Sequence, residues 1–139
     1  MAMLEEARAM AKLVDQEHGI VSRKIFADAD IYHTELEQIF ARCWLFLCHE
    51  SQIPKPGDFL TTYMGEDPIL VTRDRGGKIN AFLNICRHRG NRILKADVGH
   101  AQNFMCSYHG WTYSNQGKLE FVPGEDEAYY QKLDKEEHG

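Results

Sequence analysis

The chain has 139 residues, of which 43% are apolar and 27% are charged, a composition typical of a single soluble globular domain. Its formal net charge is -5 and it has no basic tract, so the composition does not favour binding to nucleic acid or to an anionic membrane surface. The longest uninterrupted apolar run, from Cys43 to Cys48, is far too short for a membrane span, and the acidic Glu5 and Glu6 do not suit a signal peptide. We therefore expect a cytoplasmic protein.

Two helices are predicted near the amino terminus. From Met1 to about Val14, apolar side chains recur at helical spacing and predict a short helix that packs on its own domain. In the second helix, Thr34 and Glu37 form a capping box, and the apolar residues that follow place Cys43 on the core face. These apolar residues are Leu36, Ile39, Phe40, Cys43 and Trp44. We predict that the thiols of Cys43 and Cys48 are buried and unpaired, because neither has metal-ligand spacing.

From Leu45 onward the sequence favours antiparallel β-structure, because short apolar runs alternate with turn residues. The runs at 69–72 and 79–83 flank the sequence RGGK at 75–78, which predicts a hairpin. The second strand of this hairpin leads directly towards Cys86. Further strands are predicted at 103–105, 111–113 and 118–121, with a turn at 115–117.

Two short motifs carry the chemistry. Cys86 and His88 lie in the sequence CRH, and Cys106 and His109 lie in the sequence CSYH, so each motif offers one thiolate and one imidazole. In a Rieske [2Fe-2S] centre two cysteines bind one iron and two histidines bind the other, so each of two loops must supply one ligand of each kind. A glycine follows each motif and allows the backbone to turn tightly beside the metal. The pattern therefore predicts an iron-sulfur centre with these four ligands.

A structural zinc site is the alternative, because two sulfurs and two nitrogens also satisfy tetrahedral zinc. Structural zinc sites more often pair cysteines with each other and histidines with each other along the sequence. Each motif here is mixed, which favours the iron-sulfur centre over zinc.

With CRHRG, CSYHGWTY, the lead-in DPILVTRDRGGKINAFLN and the trailing FVPGEDEAYY, the sequence resembles the amino-terminal Rieske region of the alpha subunit of aromatic-ring-hydroxylating dioxygenases. The resemblance runs from about residue 20 to the end. It implies a mainly β, Rieske-type antiparallel domain with a cluster-binding subdomain, preceded by two short α-helices. The corresponding division is a helical segment at 1–43 and a Rieske domain at 44–139.

By this resemblance, Cys86 and Cys106 would bind the inner iron of a [2Fe-2S] cluster, and His88 and His109 would bind the outer iron. The cluster would receive single electrons from a ferredoxin or a reductase and deliver them to a mononuclear Fe(II) in a neighbouring alpha subunit. A beta subunit is a further expected partner of the full enzyme. That enzyme, an oxidoreductase of aromatic hydrocarbon catabolism, would add both atoms of dioxygen to an aromatic ring with NAD(P)H as donor. No catalytic residue is expected in this chain.

The expected electron-transfer interface contains His109, Arg87, Arg89 and Trp111. By the resemblance, His109 would face a bridging carboxylate across a subunit interface. Arg87 and Arg89, with Arg92, would steer an acidic electron donor, although pairing with nearby carboxylates or simple solvation is an equal alternative. Trp111 would shield the cluster, or would only be packed core.

The respiratory type of Rieske protein has an extra cysteine in each ligand loop, and the two form a disulfide. Here Asn91 and Tyr108 occupy those positions. Trp111 replaces a serine that donates to cluster sulfur in that type, whereas the nearby tyrosine is kept as Tyr113. Fewer hydrogen bonds to sulfur favour the oxidised cluster, which predicts a potential of roughly -150 mV, near the low end of the Rieske range.

The catalytic domain of the family, whose iron is bound by two histidines and an aspartate, has no counterpart in this sequence. The chain also ends at 136–139, before the last strands expected of the Rieske region, so we expect a fragment truncated at its carboxy-terminal end with an open sheet edge. A free-standing Rieske-type ferredoxin, an electron carrier and not part of an enzyme, is the alternative function.

Overall fold

A computed structural model of the chain describes residues 11–139. The chain divides into two compact units, Met1–Trp44, described from residue 11 onward, and Leu45–Gly139. The helix predicted from Met1 lies mostly outside the described residues. Its predicted end is wrong, because Val14 lies in the short strand β1 (Val14–Asp15), which pairs antiparallel with β2 (Ile20–Val21).

In the first unit, a 3-10 helical turn (Arg23–Phe26) is followed by the helix α1 (Ala29–Glu35), which begins earlier than the sequence predicts. The carboxylate of Asp28 accepts hydrogen bonds from the N–H groups of Asp30 and Ile31, so Asp28 satisfies the free donors of the first turn and is the N-cap. The hydroxyl of Thr34 donates to the carbonyl oxygen of Asp30 from within the helix. The predicted capping box at Thr34 is therefore wrong.

One π-helical turn, Leu36–Phe40, follows α1 and ends the helix. A π turn holds more residues than an α turn, so the apolar spacing no longer keeps one face beyond Phe40. Cys43 consequently lies in an irregular segment and is exposed, which corrects the predicted core position. Cys48 is half-buried against a small apolar cluster in the second unit, so its predicted burial is only partial.

The second unit contains a four-stranded antiparallel sheet in the order β5-β4-β3-β6. Its strands are β3 (Asp58–Met64), β4 (Asp67–Arg73), β5 (Ile79–Leu83) and β6 (Val98–His100). The predicted hairpin is confirmed, because β4 and β5 pair antiparallel across the turn. In that turn Asp74 accepts a hydrogen bond from the N–H of Gly77, whose φ of +85° suits glycine.

A second sheet has three antiparallel strands. They are β7 (Asn103–Met105), β8 (Thr112–Ser114) and β9 (Leu119–Phe121). The observed ends of all three strands agree with the predicted ends to within one residue. A short helix, α2 (Glu125–Tyr129), follows β9. This helix and the strands β1, β2, β3 and β6 are not among the predicted elements. The mainly antiparallel β fold expected from the sequence is confirmed.

The two sheets meet through buried polar contacts between β4 and the turn after β8. The hydroxyl of Thr72, fully buried in β4, donates to the carbonyl oxygen of Asn115 at 2.6 Å. The buried carboxylate of Asp74 accepts a hydrogen bond from the Gln116 amide at 3.3 Å. These bonds fix the smaller sheet, which carries one ligand motif, against the larger sheet, which carries the other.

The main apolar core lies between the sheets and includes both predicted cysteine ligands. Its buried members are Phe59, Leu70, Cys86, Ile93, Phe104, Cys106, Trp111, Tyr113, Leu119 and Val122. Within residues 11–139, no helix has both the length and the apolar character needed to cross a bilayer.

Candidate metal centre

The first ligand loop follows β5 and closes on itself. The N–H of Cys86 donates to the carbonyl oxygen of Asn91 at 2.8 Å, and the N–H of Gly90 donates back to the carbonyl oxygen of Cys86 at 2.9 Å. Gly90 has a φ of +71°, in the left-handed region that disfavours other residues. A β-bridge between Ile85 and Arg92 closes the base of the loop. The cysteine is thus held at the start of a tight turn.

The second ligand loop connects β7 to β8 and has the same hydrogen-bond frame. The N–H of Cys106 donates to the carbonyl oxygen of Trp111 at 2.8 Å, and the N–H of Gly110 donates to the carbonyl oxygen of Cys106 at 3.0 Å. Gly110 has a φ of +75°. In both loops the glycine is the fourth residue after the cysteine, and the fifth residue accepts from the cysteine N–H. The two motifs are therefore two copies of one turn.

The histidines occupy different places in this shared frame, His88 two residues and His109 three residues after its cysteine. Their rings nevertheless meet, with centroids 4.6 Å apart and planes at 73°. His88 is half-buried, whereas His109 is exposed. Burial, followed by the nearby His109 and Arg89, lowers the pKa of His88. A lowered pKa favours the neutral imidazole, which is the form that binds metal.

The two cysteine side chains are each only 2% exposed and lie in the main core. Burial by itself raises the pKa of Cys106, but hydrogen bonds from the backbone of Tyr108, from Asn91 and from Cys86 outweigh it, and the pKa is lowered. A lowered pKa favours the thiolate, which is the ligand form of cysteine. The thiols thus lie close enough to share a hydrogen bond, and the hydrogen bonds around Cys106 stabilise negative charge on its sulfur.

Tyr113 supplies a hydroxyl next to the first cysteine. The backbone N–H of Arg87 donates to the Tyr113 oxygen at 3.0 Å, so the hydroxyl hydrogen is available to donate to Sγ of Cys86, 3.5 Å away. Burial raises the pKa of Tyr113, which keeps the hydroxyl protonated. Tyr113 is therefore a neutral donor to a candidate ligand sulfur.

Trp111 lies beneath His88 and not on the surface. Its indole is 3% exposed and stacks on the His88 ring, with centroids 5.0 Å apart and planes at 13°. The rings of Tyr129 and His138 contact the indole edge-on, at 6.1 and 6.0 Å. Its position matches the shielding and packing interpretations of the sequence better than an exposed place at an interface.

The arginines of the first loop divide into two kinds. Arg92 donates to the Tyr63 hydroxyl at 2.9 Å and to a backbone carbonyl oxygen, so its side chain connects the first loop to β3. Arg87 and Arg89 are exposed, and neither has an ion pair with the described part of the chain. The carboxylate of Glu125, at the start of α2, pairs with Lys135 at 2.6 Å and not with these arginines. The positive charges of Arg87 and Arg89 are therefore available to solvent.

The described residues fit a [2Fe-2S] cluster by the chemistry and grouping of their donors. Such a cluster needs two thiolates on one iron and two imidazoles on the other. Here two buried thiols form one pair and two contacting imidazoles form another. Among residues 11–139, no three His, Cys, Asp or Glu side chains converge on one metal-ion position. Three other histidines have partners of their own, since His18 and His100 pair with aspartates and His49 caps the short helix Glu50–Gln52.

The contacts between the two loops are the part of the site that the sequence does not predict. Asn91 in the first loop donates to the sulfur of Cys106 in the second, and Trp111 in the second stacks on His88 in the first. One feature of the sequence points to these two residues. Asn91 and Trp111 each stand five residues after a cysteine, so they occupy equivalent places in the two loops.

Comparison with known proteins gives consistent matches. The family model described as "Rieske [2Fe-2S] domain" matches residues 43–133. The chain is 53% identical over 120 residues to the biphenyl 2,3-dioxygenase subunit alpha of Rhodococcus jostii (strain RHA1), covering 86% of this chain and 26% of that protein. It is 54% identical over 117 residues to a benzene 1,2-dioxygenase subunit alpha of Pseudomonas putida, covering 84% of this chain and 26% of that protein.

Among solved structures, the naphthalene 1,2-dioxygenase from Rhodococcus sp. bound to indole superposes with a TM-score of 0.80 and 45% identity. The match covers 85% of this chain and 27% of that one. The chain thus spans about a quarter of the length of the relatives that it matches.

Proposed function

The chain belongs to the Rieske [2Fe-2S] family, and on that premise we propose that it is the electron-transfer region of an aromatic-ring-hydroxylating dioxygenase alpha subunit. The pairing of two buried thiols with two contacting imidazoles is the observation that carries this proposal. The relatives named as dioxygenase alpha subunits, at 53% and 54% identity, supply the enzyme class.

In this proposal Cys86 and Cys106 would hold one iron of the cluster, and His88 and His109 would hold the other. When bound, the cluster takes up and releases one electron at a time. The core around the cysteines keeps water from the thiolates, and Tyr113 and Asn91 donate hydrogen bonds to them. The exposed ring of His109 forms the edge through which a partner protein makes contact.

The proposed electron donor is a ferredoxin or a reductase with an acidic surface. Arg87 and Arg89 present positive charge beside the histidine edge of a protein whose net charge is negative, so they attract an acidic partner over a longer range than the contact itself. The proposed acceptor is a mononuclear Fe(II) in the catalytic domain of a neighbouring alpha subunit, in an assembly that includes a beta subunit. We place this assembly in the cytoplasm.

Aromatic hydrocarbons are the proposed substrate class of the whole enzyme. The relatives named for biphenyl and for benzene match this chain at nearly equal identity. The matched region therefore does not distinguish between these two rings, as expected of a region that handles electrons and does not contact the substrate.

The experiment is to purify the chain without oxygen, assay iron, sulfide and zinc, and record visible and electron paramagnetic resonance spectra before and after dithionite. We expect two irons and two sulfides per chain and a reduced signal with the low average g of a histidine-ligated cluster. Cys106→Ser should lose the chromophore, whereas Cys48→Ser, which changes a cysteine outside the centre, should keep it. A colourless protein with stoichiometric zinc would overturn the proposal in favour of a structural zinc site.

A further inference from the structure

The side-chain amide of Asn91 lies between the two ligand loops. Its nitrogen is 2.9 Å from the carbonyl oxygen of Arg92 and 3.5 Å from Sγ of Cys106. A carbonyl oxygen only accepts hydrogen bonds, so the group facing Arg92 must be the NH2 and not the amide oxygen. That NH2 has two hydrogens, one for the carbonyl and one for the sulfur. The orientation of the amide is thereby fixed as a donor to Cys106.

The contact spans the centre, because Asn91 belongs to the first loop and Cys106 to the second. The backbone of Asn91 is itself fixed, since its carbonyl oxygen accepts the N–H of Cys86 at 2.8 Å. Asn91 therefore contacts both cysteines, one through its backbone and the other through its side chain. The amide is half-buried, which limits competition from water for the sulfur contact.

A donor at this position acts on electron affinity. Reduction adds one negative charge to a [2Fe-2S] cluster, and hydrogen bonds to its sulfurs are among the features that set the reduction potential. An N–H that points at a ligand sulfur stabilises the more negative, reduced state more than the oxidised one. Removal of this donor must therefore lower the potential.

We propose that Asn91 is a positioning residue that raises the reduction potential of the centre by donating a hydrogen bond across the two loops to the sulfur of Cys106. This inference rests on the proposed function, because it requires a cluster bound at Cys106. The hydrogen bond from Asn91 acts on the sulfur of Cys106, whereas the hydroxyl of Tyr113 acts on the sulfur of Cys86, so the two effects on the potential are separate.

The test compares Asn91→Leu with Asn103→Leu in the iron-loaded chain. Leucine has nearly the shape of asparagine but no N–H, and Asn103 is an exposed asparagine three residues before Cys106 with no recorded contact to sulfur. A redox titration followed by electron paramagnetic resonance should show that Asn91→Leu shifts the reduced-to-oxidised ratio about fivefold towards the oxidised form. This equals a fall of about 40 mV for a one-electron couple. Asn103→Leu should match the wild type.

A second measurement detects the hydrogen bonds to sulfur directly and does not depend on the potential. In the wild-type protein, the iron-sulfur stretching bands in the resonance Raman spectrum should shift when water is replaced by D2O, and Asn91→Leu should show a smaller shift. Equal potentials in the two asparagine variants, with full iron and sulfide in both, would overturn the role of Asn91 and leave the proposed function intact. Wild-type protein without iron and sulfide would overturn both.

Discussion

The two histidines proposed as ligands have different surroundings, and this difference makes the two sides of the site unequal. His88 is covered by the indole of Trp111, whereas His109 is exposed and contacts the exposed ring of Tyr108, with centroids 3.8 Å apart. A partner protein can therefore approach His109 but not the covered face of His88. In the proposed function, electrons are therefore exchanged at the second loop, while the first loop lies against the core.

Tyr113→Phe should lower the reduction potential of the iron-loaded chain. The substitution removes the hydroxyl that lies 3.5 Å from Sγ of Cys86 and keeps the buried ring. One hydrogen bond is worth about 1 kcal/mol, or about 40 mV for one electron, so the expected fall is of that size. The measurement is a redox titration, with Tyr129→Phe as control because it removes a tyrosine hydroxyl outside the sulfur contacts. An unchanged potential in Tyr113→Phe would contradict the assigned hydrogen bond.

Arg89→Glu should slow reduction of the cluster by an acidic ferredoxin at low salt. Electrostatic steering changes association rates by about 10-fold or more, and the effect falls as salt screens the charges. Stopped-flow reduction rates should therefore converge for wild type and variant at high salt. Lys118→Glu makes the same change of charge at the far end of β8 from the ligand loop, and it should have little effect. Equal slowing by both variants would refute a local role for Arg89.

At the scale of elements, the shared turn explains why two such different sequences hold equivalent cysteines. In each loop a glycine with positive φ returns the chain so that the cysteine N–H meets the fifth residue. The two glycines differ in their surroundings. A Cβ on Gly110 would lie 2.8 Å from Cγ of Pro123, whereas a Cβ on Gly90 would meet nothing within 4 Å.

Gly110→Ala should therefore destabilise the protein more than Gly90→Ala. Both substitutions force alanine into the left-handed region, at a cost of about 1–2 kcal/mol, and Gly110→Ala adds the collision with Pro123. Urea unfolding of the two variants, followed by circular dichroism under the same conditions, gives the order. A smaller loss of stability for Gly110→Ala would contradict the described packing of the second loop.

Thr72→Val tests the junction between the sheets. The change keeps the side-chain shape and removes the buried hydrogen bond to the carbonyl oxygen of Asn115, so we expect a loss of about 1–2 kcal/mol in the free energy of unfolding. Thr62→Val in β3 is the matched control, because the Thr62 hydroxyl has no recorded hydrogen bond within residues 11–139. Urea unfolding should separate the two variants, and equal stabilities would rule out the junction as a source of stability.

The elements that the sequence predicts well are those fixed by local chemistry. The hairpin at β4 and β5 follows from its turn residues, and the strands around the second loop follow from short apolar runs. The sequence does not predict the strand β6, because its three residues include a glycine and a histidine, and its pairing with β3 joins residues about 40 positions apart. The sequence does not predict Asp28 as the N-cap of α1, because Thr34 and Glu37 have the spacing of a capping box further along the chain.

The candidate site likewise has features that the local sequence predicts and features that it does not. The grouping of Cys86, His88, Cys106 and His109 is predictable, because their chemistry shows in their spacing. The contact of Asn91 with Cys106 is not predictable from spacing, because it exists only once two separate loops have packed together.

At the scale of the whole molecule, cluster binding and folding are linked. The buried cysteines belong to the same core as Phe104, Trp111 and Tyr113, which also joins the two sheets. Ligands that are brought together only by folding make the binding free energy part of the folding free energy. The second unit, Leu45–Gly139, thus contains both halves of the centre and the sheets that hold them.

The central claim is that one iron is bound by two cysteines and the other by two histidines. Mössbauer spectroscopy of the chain loaded with 57Fe tests it most directly, because it reports each iron separately. We predict two inequivalent iron sites in the oxidised protein and, after one-electron reduction, a ferrous site localised on the histidine-bound iron. Two equivalent irons, or a single iron with no sulfide, would contradict the assignment.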